Sequence, residues 1–372
     1  MAIYTMVAPC RFGVESLVSY ELKSMGAQNV TSENGRVFFE GDESILARAN
    51  LNSRIAERIL LVAGQFEAHT FDQLFEGVKA LPWENYIGRT DAFPVKGSSI
   101  DSKLFSMSDC QSIIKKAVVE RLKTKYKTEW FEETGALFQI QYFILKDKAV
   151  LMLDASGEGL HKRGYRAVAN EAPIKETLAA AILDLARVRS DSVLIDPCCG
   201  SGTILIEGAM RAYNIAPGLS RSFSCEKWDF VPKEVWRQER ERAQDNINLD
   251  AAFEAYGSDI DEQALAVAKS NIEKAGVSKA ISLKQRDIKD FTYETEKGII
   301  ICNPPYGERL LDYKDVDGLY QTMGKVFPKK PNFSHYFITG SDSFETPFGR
   351  PADKRRKLYN GMIQCQLYMY FR

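Results

Sequence analysis

The segment ICNPPYGERL carries an apolar stretch directly into Asn303, Pro304, Pro305 and Tyr306. Proline lacks a backbone N–H and fixes φ, so this loop offers hydrogen-bond acceptors in a set geometry. An exocyclic amine of a nucleobase is a poor nucleophile because its lone pair is delocalised into the ring. Donating its hydrogens to the Asn303 side-chain oxygen and the Pro304 carbonyl would localise that pair, and Tyr306 would stack on the base. Catalysis of this kind rests on positioning and electrostatics in an in-line displacement, without a covalent intermediate. Alone, the same four residues also suit a rigid turn after a buried strand, so their setting decides.

That setting contains three acids at predicted strand ends. In VLIDPCCGSGTILIEGAM an apolar strand stops at Asp196, and a turn holding Gly200 and Gly202 opens a helix. Glycines there let a ligand lie against the backbone. A dinucleotide fingerprint needs a small residue three positions after Gly202, where this chain has Leu205, so a nicotinamide cofactor fits poorly. An acid before the turn suits a cofactor with a cationic amino-acid portion and no pyrophosphate, and S-adenosylmethionine is one. Asp259 in YGSDID could accept from both ribose hydroxyls, and Asp287 in QRDI from the adenine amine. Any one of them could be a cap or a solvated turn residue, as Asp261 is expected to be for the helix after it. Three at successive strand ends point to a nucleoside bound outside the carboxyl edge of a sheet.

The seven cysteines are odd in number and include no C-x-x-C pair, which fits neither a disulfide framework nor a zinc site, and no metal is expected. Cys302 and the Cys198–Cys199 pair lie in apolar strand contexts where packing is the ordinary role, although a thiolate would serve pyrimidine-carbon methylation. With 49 basic and 50 acidic residues in 372, no global field advertises a nucleic-acid partner, and any such surface must be local. The start, MAIYTMVAPCRFG, lacks a basic stretch leading into an apolar core, and no run approaches the roughly 18 apolar residues of a membrane span. A cytoplasmic, reduced protein with no membrane partner is expected, with a monomer as the default.

These residues need elements to hold them. From Tyr4 to Phe39 the pattern is strand, helix, strand; a helix over ESILARANLNSRIAERIL, a strand over LLVAGQFEA, a helix from Phe71 to Ala80 and strands over AFPVKGS and LFQIQYFILKDKAVLMLD follow. Between the last two lies an amphipathic helix, SDCQSIIKKAVVERLKTKYKT, with Ser108 or Asp109 as its cap. Over residues 115–127, Lys115, Lys116, Arg121, Lys123, Lys125 and Lys127 face the single acid Glu120, an excess of five positive charges. A solvated outer face is the ordinary explanation of such a run; contact with RNA is the other. From Asp191 onward strands and helices alternate, predicting a mostly parallel sheet covered on both faces. The tail adds strands SHYFITGS and MIQCQLYMYF, closing the sheet with an antiparallel pair. The boundary between the two regions falls near residue 165.

DPCCGSGT, GSDID, QRDI and NPPYGERL resemble the motifs of class I S-adenosylmethionine-dependent amino-methyltransferases over residues 166–372. More narrowly, GLHKRGYR, APIKETLAAAIL and NIAPGLSRSFSCEKWDF resemble the bacterial 23S rRNA guanine-N2 methyltransferase group, in which a THUMP RNA-binding domain precedes the catalytic domain. The resemblance implies a Rossmann-like α/β domain over 161–372, behind a ferredoxin-like α+β part over 1–55 and a THUMP-like domain over 56–160. It implies that Asp196, Pro197, Gly200, Ser201, Gly202 and Thr203 line the methionine end of the cofactor, Asp259 and Ile260 the ribose, and Asp287 and Ile288 the adenine. Asn303 to Tyr306 would then form the target-base site. The spacing from Asp196 to Asp259 is 63 positions where about 20 is usual; the excess holds Trp228, Trp236 and a run of Arg and Glu expected to be a solvated helix.

The resemblance raises the Lys115–Lys127 helix to a phosphate-contacting candidate. It adds Arg355 and Arg356 of GRPADKRRKLYNG, expected in a loop between the last two strands and near the NPPY mouth. The activity expected is methyl transfer to guanosine N2, in 23S rRNA first and tRNA second. The alternatives are adenine-N6 methylation and a non-catalytic RNA-binding or ribosome-assembly factor.

Overall fold

Seven strands of the first region form one sheet. In the computed structural model, residues 2–166, 174–305 and 313–372 are described, with backbone alone at 313–315. The strands are β1 (Tyr4–Pro9), β2 (Gln28–Glu33), β3 (Arg36–Gly41), β4 (Leu60–Glu67), β5 (Val95–Ile100), β6 (Ile140–Leu145) and β7 (Lys148–Asp154), in the order β2-β3-β1-β4-β7-β6-β5. Because β4 pairs with both β1 and β7, the stretches before and after residue 55 share a continuous sheet.

Helices α1 (Glu15–Ser24), α2 (Glu43–Asn52), α3 (Phe71–Ala80) and α4 (Met107–Tyr126) connect these strands. β2, absent from the expected pattern, is QNVTSE, a polar edge strand almost wholly exposed and therefore without apolar alternation. The helix expected over residues 43–60 stops at Asn52. The Glu21 carboxylate accepts from the Ser53 hydroxyl and from the Arg54 and Ile55 backbone N–H groups, drawing the chain out of the helix. The long strand expected over residues 137–154 is the β6–β7 hairpin, turning at Lys146 and Asp147 with φ of 50° and 64°. Ser106, rather than Ser108 or Asp109, caps α4 by accepting from the Asp109 N–H.

The second region contains α5 (Glu176–Leu185), β8 (Val193–Asp196), α6 (Thr203–Ala212), α7 (Lys233–Asp245), β9 (Glu254–Asp259), α8 (Glu262–Lys274) and β10 (Ile281–Gln285). After these come β11 (Gly298–Cys302), α9 (Tyr313–Val326), β12 (Phe333–Thr339), α10 (Glu345–Phe348), β13 (Lys354–Asn360) and β14 (Ile363–Tyr370). The sheet order is β10-β9-β8-β11-β12-β14-β13; the first five are parallel and β14 runs against both β12 and β13. This is the class I methyltransferase arrangement, and its strand order reverses at β8, with β9 on one side and β11 on the other. The tail holds three strands where two were expected: KRRKLYN is β13, an edge strand whose charges suit a sheet border.

The 63-position spacing is occupied by a segment that joins the two regions. Trp228 stacks on Phe138 with ring centroids 4.8 Å apart and donates from its indole N–H to the Leu137 carbonyl. Gly218 donates to the Leu51 carbonyl, and Arg48 of α2 makes a two-pronged ion pair with Glu239 of α7. The expected solvated charge run is thus only half right: Arg237 pairs with Glu234 and Glu241 in solvent, while Glu239 and Arg240 face inward, Arg240 to Glu226. One apolar core runs from Met6 in the first sheet to Met369 in the second.

Candidate active site

Asp196 ends β8 with 1% of its surface exposed. Its carboxylate accepts from the Cys198 N–H at 3.2 Å, and burial, with a smaller contribution from Asp259, pushes its pKa up to about 8. A carboxylate buried without a cation is unfavourable unless a ligand supplies one. The turn beyond it puts Gly200 at φ 49° and Gly202 at φ 81°, left-handed values that glycine adopts most readily. A side chain at Gly200 would enter open space, whereas one at Gly202 would lie 3.3 Å from Ala268 of α8. Gly200 therefore leaves bare backbone facing outward, and Gly202 lets α8 close on the turn.

The turn is fixed from its neighbours. Asp259, at the end of β9, accepts the Gly200 N–H at 2.8 Å with one oxygen and the Asp261 N–H at 3.1 Å with the other. Cys199 donates to the Ser258 carbonyl, and Asn271 of α8 donates from its side chain to the Ser201 carbonyl. Asp261 caps α8, as its position suggests. Asp287, after β10, caps the short turn over Ile288–Asp290 and pairs with Lys289, which holds its carboxyl below the usual range. Asp196, Asp259 and Asp287 thus lie at the carboxyl ends of three adjacent strands, β8, β9 and β10, with Pro197, Ile260 and Ile288 next in the chain.

On the other side of β8, β11 delivers Asn303. Its side-chain Oδ1 is buried and has no hydrogen-bond partner among the described residues. A buried acceptor left unpaired costs about 1–3 kcal/mol, so its retention is informative. Pro304 and Pro305 follow it, Pro304 buried; Tyr306 lies outside the described residues. Cys302 is fully buried against Cys198, and burial pushes its thiol well up, which disfavours a thiolate nucleophile. Among the described residues no group of three or more His, Cys, Asp or Glu could hold a metal ion, and no helix is long and apolar enough to cross a membrane.

A supporting layer was not anticipated from the sequence. Arg166 donates to the Thr203 hydroxyl at 2.8 Å, at the first position of α6, and pairs with Glu176. Behind it Glu207 of α6, fully buried, meets Arg163 at 3.3 Å and the Tyr165 hydroxyl at 3.2 Å. The signal was present: Glu207 is the one acid in the otherwise apolar helix TILIEGAM, and GLHKRGYR supplies both of its partners, Arg163 and Tyr165, together with Arg166.

The basic candidates separate. On α4, Lys115 pairs with Glu133 and lies over the Phe93 ring, Arg121 pairs with Glu84, and Lys123 lies between Glu120 and Glu129. Lys116, Lys125 and Lys127 are exposed, with no ion pair among the described residues. Arg355 and Arg356 sit on strand β13 rather than in a loop, so alternation sends them to opposite faces: Arg355 to Glu345, Arg356 into a cleft walled by Val193 and Gly298. Those two residues begin β8 and β11, so Arg356 opens away from Asn303 and does not flank the NPPY mouth.

Comparison with known proteins places this geometry in context. The profile of the RMKL-like methyltransferase domain matches residues 163–369, that of the RlmL ferredoxin-like domain residues 5–60, and that of the THUMP domain residues 68–154. The chain is 44% identical over 373 residues to "Putative RNA methyltransferase YpsC" of Bacillus subtilis (strain 168), covering 100% of this chain and 97% of that protein. It is 35% identical over 374 residues to "Ribosomal RNA large subunit methyltransferase K/L" of Psychromonas ingrahamii, covering 97% of this chain and 49% of that protein. The chain therefore spans about half the length of the K/L protein. The crystal structure of SMU.472, titled "a putative methyltransferase complexed with SAH", superposes with a TM-score of 0.94 at 41% identity, covering 100% of this chain and 98% of that one.

Proposed function

The chain belongs to the RMKL-like methyltransferase family, whose cofactor is S-adenosylmethionine, and from that premise we propose that it methylates the exocyclic N2 amine of a guanosine in RNA, 23S rRNA being the first candidate. The observation that carries the reading is the buried Oδ1 of Asn303, without a partner among the described residues, at the strand-order reversal next to the end of β8. An acceptor held there without a partner suits an amine that arrives with the substrate.

The residues fit the cofactor. Among the described residues no cation pairs with the buried Asp196 carboxylate, and the position where a Gly200 side chain would project is open. Asp196 and the Gly200–Thr203 turn would hold the amino-acid end, Asp259 the ribose and Asp287 the adenine. Bound there, the cofactor supplies an electrophilic methyl group on a sulfonium. The protein's own part is to draw the amine's hydrogens toward Asn303 Oδ1 and the Pro304 carbonyl, so that the nitrogen lone pair points at the methyl group. The RNA reading is supported by the THUMP profile over 68–154 and by the printed names of the relatives. The domain limits 1–55, 56–160 and 161–372 are proposed as functional units within the shared core.

Replacing Asn303→Ala should lower the rate of methyl transfer to RNA by about 10²–10³-fold. S-adenosylhomocysteine affinity, measured by calorimetry, should be unchanged. Undiminished turnover would remove Asn303 from the catalytic role.

A further inference from the structure

Two adjoining clefts, of about 920 and 490 Å³, share Asp184 and Arg189 in their walls and follow the seam between the two regions. The larger lies at the N-terminal ends of β8 and β11, so the length of β11, about 17 Å for five residues, separates it from Asn303. The larger cleft is walled by Arg187, Arg189, Lys297, Lys354, Arg356 and Arg372. Among the described residues no acid pairs with any of these six side chains. The acids of the larger cleft are Asp191 and Asp184, and Arg211 neutralises Asp184 at 2.9 Å. In the smaller cleft Glu21 is taken up by Ser53 and backbone N–H groups.

An exposed aromatic ring lines each cleft beside these charges. Tyr20, 72% exposed, lines the smaller cleft and Phe371, 42% exposed, the larger. In a chain of net charge −1, six unpaired cations lining one groove are not an effect of overall composition. Cations that track a backbone and aromatic rings that stack on bases are together what single-stranded nucleic acid requires.

We propose that this groove is a second seat for RNA, gripping single-stranded backbone on the side of the molecule away from the reacting base. The proposal rests on the RNA reading above and extends it: the substrate must be long enough to reach both ends of the sheet.

The test uses the full chain and a short fluorescein-labelled single-stranded RNA. The variant Arg187→Asn/Arg189→Ala/Lys297→Ala/Arg372→Ala keeps a residue tolerant of Arg187's left-handed backbone and changes exposed side chains only. It should bind RNA roughly tenfold more weakly or worse. Its plot of log affinity against log salt should also flatten by about 0.7 per lost phosphate contact. S-adenosylhomocysteine affinity and the melting temperature should not move. Tyr20→Ala should weaken binding and leave the salt slope unchanged. If wild type binds and methylates RNA while the four-site variant matches it in affinity and slope, the groove proposal is overturned and the functional reading stands; the groove would then suit an acidic protein instead. If wild type neither binds nor methylates RNA, both fall together.

Discussion

Asp196 ties the chemistry of the site to a measurable proton. Its carboxyl titrates near pH 8 because burial and the neighbouring Asp259 disfavour its charge, and a cationic ligand needs that charge present. Affinity for S-adenosylhomocysteine should therefore fall as pH drops below about 8, approaching tenfold per unit. Asp196→Asn should weaken binding at every pH and flatten the profile, as calorimetry at several pH values would show. The same residue should act oppositely on stability. Its folded pKa lies above the unfolded value, so its stabilising contribution is complete below about pH 4 and is lost as pH rises toward 8. Without ligand, Asp196→Asn should melt above wild type, by a margin that grows from about pH 4 to pH 8 and then levels; a margin independent of pH would contradict the assignment. Glu207→Ala leaves the Arg163 guanidinium buried and unpaired, and should cost about 3–5 kcal/mol in urea unfolding. A loss under 1 kcal/mol would show that Arg163 finds other partners or water.

At the scale of elements, the β8 turn is where backbone and packing meet. Gly202 combines a left-handed φ of 81° with the close approach of α8, so Gly202→Ala should cost about 1–2 kcal/mol and loosen the Gly200 amide from Asp259. An unchanged urea midpoint together with unchanged cofactor affinity would contradict this. The turn, the acids behind it and the strand before Asn303 were legible because buried parallel strands leave apolar runs that end abruptly in polar motifs. β2 was not, because an exposed edge strand has no buried face to impose alternation. The β6–β7 turn was hidden because its two central residues are Lys and Asp, without the glycine that marks such turns. Arg355 and Arg356 were misplaced for a related reason: charges that suit a sheet border resemble a loop. The roles of Arg166 and Asn271 depend on partners 37 and 70 positions away, which no local pattern encodes.

Across the whole molecule, the segment between α6 and β9 turns two regions into one body. Trp228 on Phe138, Glu239 with Arg48 and Gly218 on Leu51 all bind catalytic-region residues to the first region. Calorimetry should accordingly show a single unfolding transition, and Trp228→Ala, at about 3–5 kcal/mol, should lower it as a whole; two separated transitions would contradict the shared core. A rigid body of this kind would hold the proposed RNA-contacting surfaces at set distances from Asn303, which suits the selection of one nucleotide by its place in a folded RNA rather than by its base alone. The most direct test of that account is to incubate the protein with S-adenosylmethionine and RNA from cells lacking it, with ribosomal and transfer RNA separated, and to identify the modified nucleosides by mass spectrometry. The account predicts a gain of N2-methylguanosine in large-subunit rRNA. A gain confined to transfer RNA would keep the chemistry and move the substrate, whereas N6-methyladenosine, or no methylated nucleoside in either pool, would contradict it.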